Sequence, residues 1–469
     1  MDKAIVFGCG YAGEGAYCKL SEIYEIIAWT DNNASLWGKK KEGIGIIAPQ
    51  EMYELLRENK DITLFVAIVD SLDIVNQLHL NGIEDFYVWK VGFFFYNEKR
   101  GFLTSRTSRK KMEIRDKSVL FVMNAIVGGI REYRLATVLK KYGYSIYLAY
   151  FTPTKGKTGF GFTDVYENII PVMSLDDLMW IANEYDFKFI HSSSEPEWLT
   201  AFLLNSNKCV IHECHDLGSA NVNMSPERLA MEYVSNVGAK GVFYPTEALR
   251  IEALKKFDIR REKTLVIENL ISENLSPVKY LEKLSEFDGK IHAVYEGSMT
   301  STDELDKRYF EKIWLKLANA GIIVHFYTNH KQVYCEYLAK LHTNIRYEGN
   351  LSSKELATEM TKYDVGLLVF NVNKRNKKYL ESASPNKLYE YLNSGIPIAT
   401  YGIDTYREFV ENNKVGKEIT IDKNIYQQFD AIKRIKIADG FLKKNGLTIE
   451  SHEKEIMDFI SRILEELPV

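Results

Sequence analysis

The sequence predicts an α/β protein made of three consecutive Rossmann-like domains. Three observations carry that expectation. Apolar runs of strand length recur along the chain, stretches of helical periodicity alternate with them, and the first two series each open on a strand, a glycine turn and a helix. In the first series KAIVFGCGYAGEGAYCKL (3–20) places a β-branched run before Gly8, Gly10 and Gly13 and a helix-compatible segment after them. The next strand, EIIAWTD, ends in Asp31, about 20 residues beyond the glycine turn, where a dinucleotide fold carries its ribose-binding carboxylate. Strands TLFVAIV (63–69) and DFYVW (85–89) follow, with helical patterns over Met52–Asn59 and Ser71–Leu80. The charged, aperiodic stretch TSRKKMEIRDK (107–117) reads as a linker, giving a first domain of residues 1–112.

The second series starts with SVLFVMN (118–124), the glycine pair Gly128 and Gly129, and a helix IREYRLATVLKKYG that closes at Gly143. Strands SIYLAYF, FKFIHS, CVIHE and GVFYPT alternate with helices up to TLVIENL, so the second domain is residues 113–280. The third, residues 281–469, opens at KIHAVYEGSM (290–299) and continues through IIVHFYTN, NIRYEGNL, DVGLLVF and PIATYG to an amphipathic helix at His452–Leu467.

Composition excludes several classes. With 46% hydrophobic and 26% charged residues in 469, the chain reads as ordinary globular protein. A net charge of −4 leaves no basic surface of the kind nucleic acid requires. Cys9, Cys18, Cys209, Cys214 and Cys335 form no CxxC pair, which argues against a disulfide framework or zinc cluster and fits a reducing cytoplasm. No leader pattern and no long apolar run is present, so a cytoplasmic protein is expected, with peripheral contact at the inner membrane face left open. The aromatic patch VGFFFYNEKRGF (91–102) fits a domain interface better than a membrane-touching loop.

The segment SASPNKLYEYLNSGIPIATYG (382–402) carries the most chemistry. A helix starting near Ser384–Asn386 directs unpaired N–H groups and its positive dipole end outward, a seat for a diphosphate to which Lys387 adds a cation. Glu390, three residues on, shares that helix face and can accept hydrogen bonds from two hydroxyls. The same residues also suit a plain helix cap with Leu388, Tyr391 and Leu392 packed inward, and the two readings coexist. HECHDLGS (212–219) sits at a carboxyl strand end, where open α/β sheets bind ligands. A loop cap or an H-x-x-H metal site are its other readings, the second lacking a third ligand.

These motifs resemble those of the glycosyltransferase group 1 family, whose donor-site pattern P-x-K-x-x-E-Y-x-x-x-G-x-P matches residues 385–397. The glycine pair, His215–Asp216, the YEG at 295–297 and KYDVGLLVF support it. The resemblance implies a GT-B enzyme of two Rossmann-like domains behind an extra N-terminal one. It would move a sugar, with retention and without metal, from a nucleoside-diphosphate sugar to a glycan, lipid-linked or protein acceptor in bacterial polysaccharide biosynthesis. It implies His215 and Asp216 as catalytic-site residues, and Gly128, Gly129, Gly297, Ser384, Asn386, Lys387 and Glu390 as donor-binding residues, with Glu390 on the ribose. Two departures stand out. Glu381 is one residue out of register with the family's first acidic residue, and the Arg and Lys that follow the glycine in many relatives are replaced by GSMTSTDE, leaving Lys387 or NKRNKK (373–378) to supply charge. The first domain resembles small NAD- or nucleotide-binding-like domains of polysaccharide-biosynthesis proteins, with Gly8, Gly10, Gly13 and Asp31 as its ligand site and no YxxxK pair for redox chemistry. A nucleotide-sugar epimerase of similar fold and a non-catalytic partner subunit are the alternative functions.

Overall fold

The computed structural model describes residues 1–21, 23–68, 71–90, 94–103, 112–125, 129–152, 163–194, 197–220, 224–300 and 303–465. Two compact units divide the chain: residues 1–212 with 238–240, and residues 213–237 with 241–469.

The first unit begins with a sheet of β1 (Asp2–Phe7), β2 (Tyr24–Thr30), β3 (Lys40–Lys41), β4 (Ile44–Ile47), β5 (Thr63–Val66), β6 (Phe86–Lys90), β7 (Phe94–Asn97) and β8 (Gly101–Phe102). Its order is β3-β4-β2-β1-β5-β6-β7-β8. The five central strands are parallel, and the strands at both edges are antiparallel. β1 carries Ala4, Ile5, Val6 and Phe7 fully buried because helices cover both faces of a parallel sheet. The aromatic patch forms the β7–β8 edge, where Phe95 enters the core against Phe65 and Trp89. Residues 91–93 of that patch lie outside the described residues.

The same unit holds β9 (Ser118–Ala125), β10 (Ser145–Thr152), β11 (Asn168–Pro171), β12 (Phe189–Ser193) and β13 (Val210–Glu213) in the order β11-β10-β9-β12-β13. Met112 and Ile114, the end of the expected linker, already pack on this second core.

The second unit contains the parallel pair β14 (Gly241–Tyr244) and β15 (Thr264–Val266). It also contains a fully parallel sheet of β16 (Ile291–Glu296), β17 (Ile322–Tyr327), β18 (Ile345–Gly349), β19 (Val365–Leu368), β20 (Ile398–Thr400) and β21 (Gly416–Glu418). The order β18-β17-β16-β19-β20-β21 reverses direction between β16 and β19. In open α/β sheets the crevice outside the strand ends at such a reversal is where ligands bind. The C-terminal helix, Glu453–Glu465, buries Ile456, Phe459, Ile460 and Ile463, as its period predicts. The Phe459 ring packs tilted at 57° with its centre 5.2 Å from that of Phe243 and covers Gly241, where a Cβ would stand 3.0 Å from it. Among the described residues no helix is long and apolar enough to cross a membrane.

Candidate functional site

At the β16–β19 reversal, β16 runs into Gly297 with φ +118°, a conformation that side chains resist. A Cβ there would also stand 2.8 Å from Nζ of Lys387. Lys387 reaches this point from the first turn of the helix Asn386–Asn393. Extended Pro385 starts that helix without a side-chain cap, and its carbonyl accepts the Leu388 N–H at 3.2 Å; the first turn of a helix directs its N–H groups outward. Leu388, Tyr391 and Leu392 are buried as the spacing predicts, and Tyr389 joins them. The Tyr391 ring lies on Gly366 of β19, where a Cβ would come within 2.5 Å of it. Its hydroxyl donates to the Leu367 carbonyl at 3.3 Å and accepts the Glu296 N–H at 3.3 Å, which fixes the helix over both strands of the reversal.

The electrostatics of this corner are unresolved by the protein itself. The Lys387 ammonium lies 4.9 Å from the Tyr295 ring centre and 5.9 Å from that of Phe370. It makes no hydrogen bond or ion pair among the described residues. Burial holds its pKa below the ordinary lysine value; Glu296 and Glu390 oppose that shift, and Arg308 adds to it. Glu296 Oε1 is buried without a hydrogen-bond partner. A desolvated cation and a desolvated carboxylate oxygen, both short of partners, call for a ligand that brings negative charge and hydroxyl groups.

Two further cations arrive from a place the sequence did not signal. The loop after Gly297 turns back so that the Thr300 N–H meets the Arg308 carbonyl at 3.1 Å. Asn371 Nδ2 donates to the carbonyls of Glu304 (2.8 Å) and Asp306 (3.0 Å), and Asn373 Nδ2 to that of Leu305 (2.8 Å). This clamp delivers Lys307 and Arg308 in place of cations adjacent to Gly297. The NKRNKK stretch contributes to this clamp through Asn373, while Lys377 pairs with Asp404 at 3.2 Å and Lys378 with Glu252 at 4.0 Å.

Other expected residues have definite places. Ser384 Oγ accepts the Asn269 N–H at 3.0 Å, and its carbonyl accepts Asn269 Nδ2, so it anchors the helix start. Asn386 opens the helix and Glu390 sits half-buried on it. Glu381 accepts the N–H groups of Asp404 (3.0 Å) and Thr405 (3.1 Å), capping the helix Asp404–Asn412. Cys214 N–H bonds the Phe243 carbonyl at 3.0 Å, which sets the loop bearing His215 and Asp216 beside β14. Asp216 Oδ2 accepts the Tyr379 hydroxyl at 2.8 Å.

In the first unit, Gly129 begins the helix Ile130–Lys141, and a Cβ on it would meet Met123 Cε at 2.6 Å. Gly128 lies outside the described residues. Beside this turn, buried Glu132 accepts the Ser193 hydroxyl at 2.6 Å, a contact with no local sequence signal. In the N-terminal turn, Gly8 (φ +111°) meets Ala67, and a Cβ on Gly13 would lie 1.8 Å from the Gly8 carbonyl oxygen, while Gly10 faces open space. Asp31 accepts the N–H groups of Cys9 (2.8 Å) and Asn33 (2.9 Å). Lys41 bonds the Cys9 carbonyl and reaches Glu14 at 2.7 Å, so a protein cation already sits in that turn. His212 Nδ1 bonds Thr200 at 2.8 Å. Among the described residues no cluster of three or more His, Cys, Asp or Glu could hold a metal.

Residues 310–439 match the family model described as the glucosyltransferase 3-like C-terminal domain. A search of curated protein sequences finds no match. Among solved structures, a glycosyltransferase from Rickettsia africae ESF-5 is similar over 76% of this chain and 100% of its own, at 12% identity and TM-score 0.54. Over that share the chain has the mixed α/β fold, with parallel sheets, of this glycosyltransferase structure. Anabaena HepE in complex with UDP and glucose is similar over 74% of this chain and 100% of its own (14% identity, TM-score 0.52). Sucrose-phosphate synthase from Thermosynechococcus elongatus covers 75% and 100% (13%, TM-score 0.51). At these identities the likeness is one of fold.

Proposed function

We propose that the chain is a glycosyltransferase that moves a sugar from a nucleoside-diphosphate donor, with retention, to a glycan, lipid-linked or protein acceptor. The observation that carries this reading is Lys387: a desolvated ammonium that makes no hydrogen bond or ion pair among the described residues, beside Gly297 at a helix N-terminus. A diphosphate supplies the missing charge, and the ribose hydroxyls suit Glu390 and Glu296. Residues 281–469 form the donor domain in this reading, 113–280 the acceptor-side domain and 1–112 an added domain. The match to a glucosyltransferase 3-like domain across the helix Asn386–Asn393 supports a hexosyl donor, and HepE, which binds UDP and glucose, supports UDP as the first carrier to try.

In the reaction the bond between the anomeric carbon and the phosphate oxygen breaks, and its electron pair leaves with the nucleoside diphosphate. The acceptor oxygen bonds the anomeric carbon, and its proton passes to a departing phosphate oxygen. Lys387, Arg308 and the helix N–H groups offset the charge that develops on that leaving group. His215 is the proposed contact to the transferring sugar. The test is release of free nucleoside diphosphate from UDP-glucose and other nucleotide sugars by the full chain. One donor should turn over, and Lys387→Met should abolish it; no turnover of any donor with any acceptor would remove the reading.

A further inference from the structure

The Asp216–Tyr379 contact has a second half. Tyr379 lies on the short helix Lys377–Ser382, just before the Ser384–Lys387 corner. On one side its hydroxyl donates to Asp216 Oδ2 at 2.8 Å. On the other, Lys307 Nζ stands 3.5 Å over its ring centre. Lys307 and its neighbour Arg308 directly follow residues 304–306, whose carbonyls Asn371 and Asn373 hold in place. The helix itself is tied down where Thr246 donates to the Ser382 carbonyl at 2.8 Å and Tyr406 to that of Leu380 at 2.9 Å. A cation over a phenol draws density from the ring and makes the hydroxyl a stronger donor, so Lys307 strengthens the Tyr379–Asp216 bond. Contacts therefore run from Lys307 through Tyr379 to Asp216, with Arg308, whose charge acts on Lys387, and His215 as the chain neighbours at the two ends, all within the second unit.

We propose that Tyr379 is a positioning residue that couples the Lys307–Arg308 loop to the loop bearing His215 and Asp216. The functional side of this inference rests on the proposed donor site; its physical side does not. Tyr379 touches no reacting atom in this account. It fixes where His215 stands, and Lys307 sets how firmly.

Two measurements on the full chain test it. The first needs no ligand: amide hydrogen exchange at residues 214–218 in wild type, Tyr379→Phe and Lys307→Met. Loss of a hydrogen bond to a charged acceptor should speed exchange there by about tenfold or more in Tyr379→Phe and by a smaller factor in Lys307→Met. Unchanged exchange in both variants overturns the coupling whatever the protein's activity. The second is steady-state kinetics with the nucleotide sugar that turns over. Tyr379→Phe, which keeps the ring under Lys307, should lower kcat about tenfold with donor KM within about twofold, and Asp216→Asn added to it should cost little more. A rise in donor KM that matches the fall in kcat makes Tyr379 a structural prop and overturns its positioning role. Absence of turnover in wild type counts against the enzymatic reading, while the exchange result still decides the coupling.

Discussion

Lys19 offers a sharp test of the electrostatic reasoning in the first unit. Its side chain is 1% exposed, on the helix Tyr11–Leu20. Nζ donates to the Val172 carbonyl at 3.0 Å and stands 5.9 Å from the Phe151 ring. Burial pushes its pKa down to about 7, against the opposing pull of Asp177. In the unfolded chain the same lysine holds its proton up to the ordinary value of 10.5. Between those values the unfolded chain binds more protons, so stability rises with pH from about 7 to about 10.5; below 7 the fold carries the full penalty. At about 1.4 kcal/mol per pH unit, Lys19 lowers stability at pH 6 by on the order of 5 kcal/mol and at pH 10 by under 1. Lys19→Met removes that penalty along with a hydrogen bond of about 1–2 kcal/mol. The variant should therefore be more stable than wild type at pH 6 and slightly less stable at pH 10. Denaturant unfolding at both values, followed by a probe in the first unit, reads the difference. An equal offset between variant and wild type at the two pH values would refute the argument.

Four other outcomes follow from named contacts. Gly297→Ala forces a side chain into a left-handed backbone position against the Lys387 ammonium, so nucleotide affinity should fall at least tenfold in calorimetry while the fold persists. Gly13→Ala meets the Gly8 carbonyl oxygen and should lower the stability of the first unit by about 2 kcal/mol or more, read as a drop in its melting temperature. Glu381→Gln should weaken the cap on Asp404–Asn412 by about 1 kcal/mol without changing nucleotide affinity; a large affinity loss would give Glu381 an acidic role at the donor site instead. His215→Ala should depress turnover more than donor binding, as kcat against KM will show.

What could be read from the sequence was whatever the chain encodes locally. The recurring apolar runs located strands such as β1, β9 and β16 because strand and helix periods are properties of a few neighbouring residues. The helix holding Lys387 and Glu390 was legible for the same reason: Pro385, Gly395 and Pro397 mark its limits, and its inward face repeats at helical spacing. The partners of those residues were not legible. Lys307 and Arg308 reach their place only because Asn371 and Asn373, more than sixty residues away, hold three carbonyls of their loop. Tyr379 and Asp216 meet across a separation of 163 residues, and Glu381 faces a helix end 23 residues on. In each case a polar side chain satisfies backbone or carboxylate groups brought near by the fold, and no periodicity announces it. Lys41 in the first glycine turn is a further instance, since its charge in the sequence is that of an ordinary surface lysine.

The central claim is that the corner formed by Gly297 and Lys387 binds a nucleoside diphosphate. Titration calorimetry of UDP, GDP, CDP and dTDP against the full chain and against Lys387→Met tests it most directly. One of the four should bind wild type, and the variant should bind it ten- to a hundredfold more weakly, the equivalent of about 1.5–3 kcal/mol for a charge-assisted contact. Binding of none of the four, or binding that Lys387→Met leaves unchanged, would contradict the account.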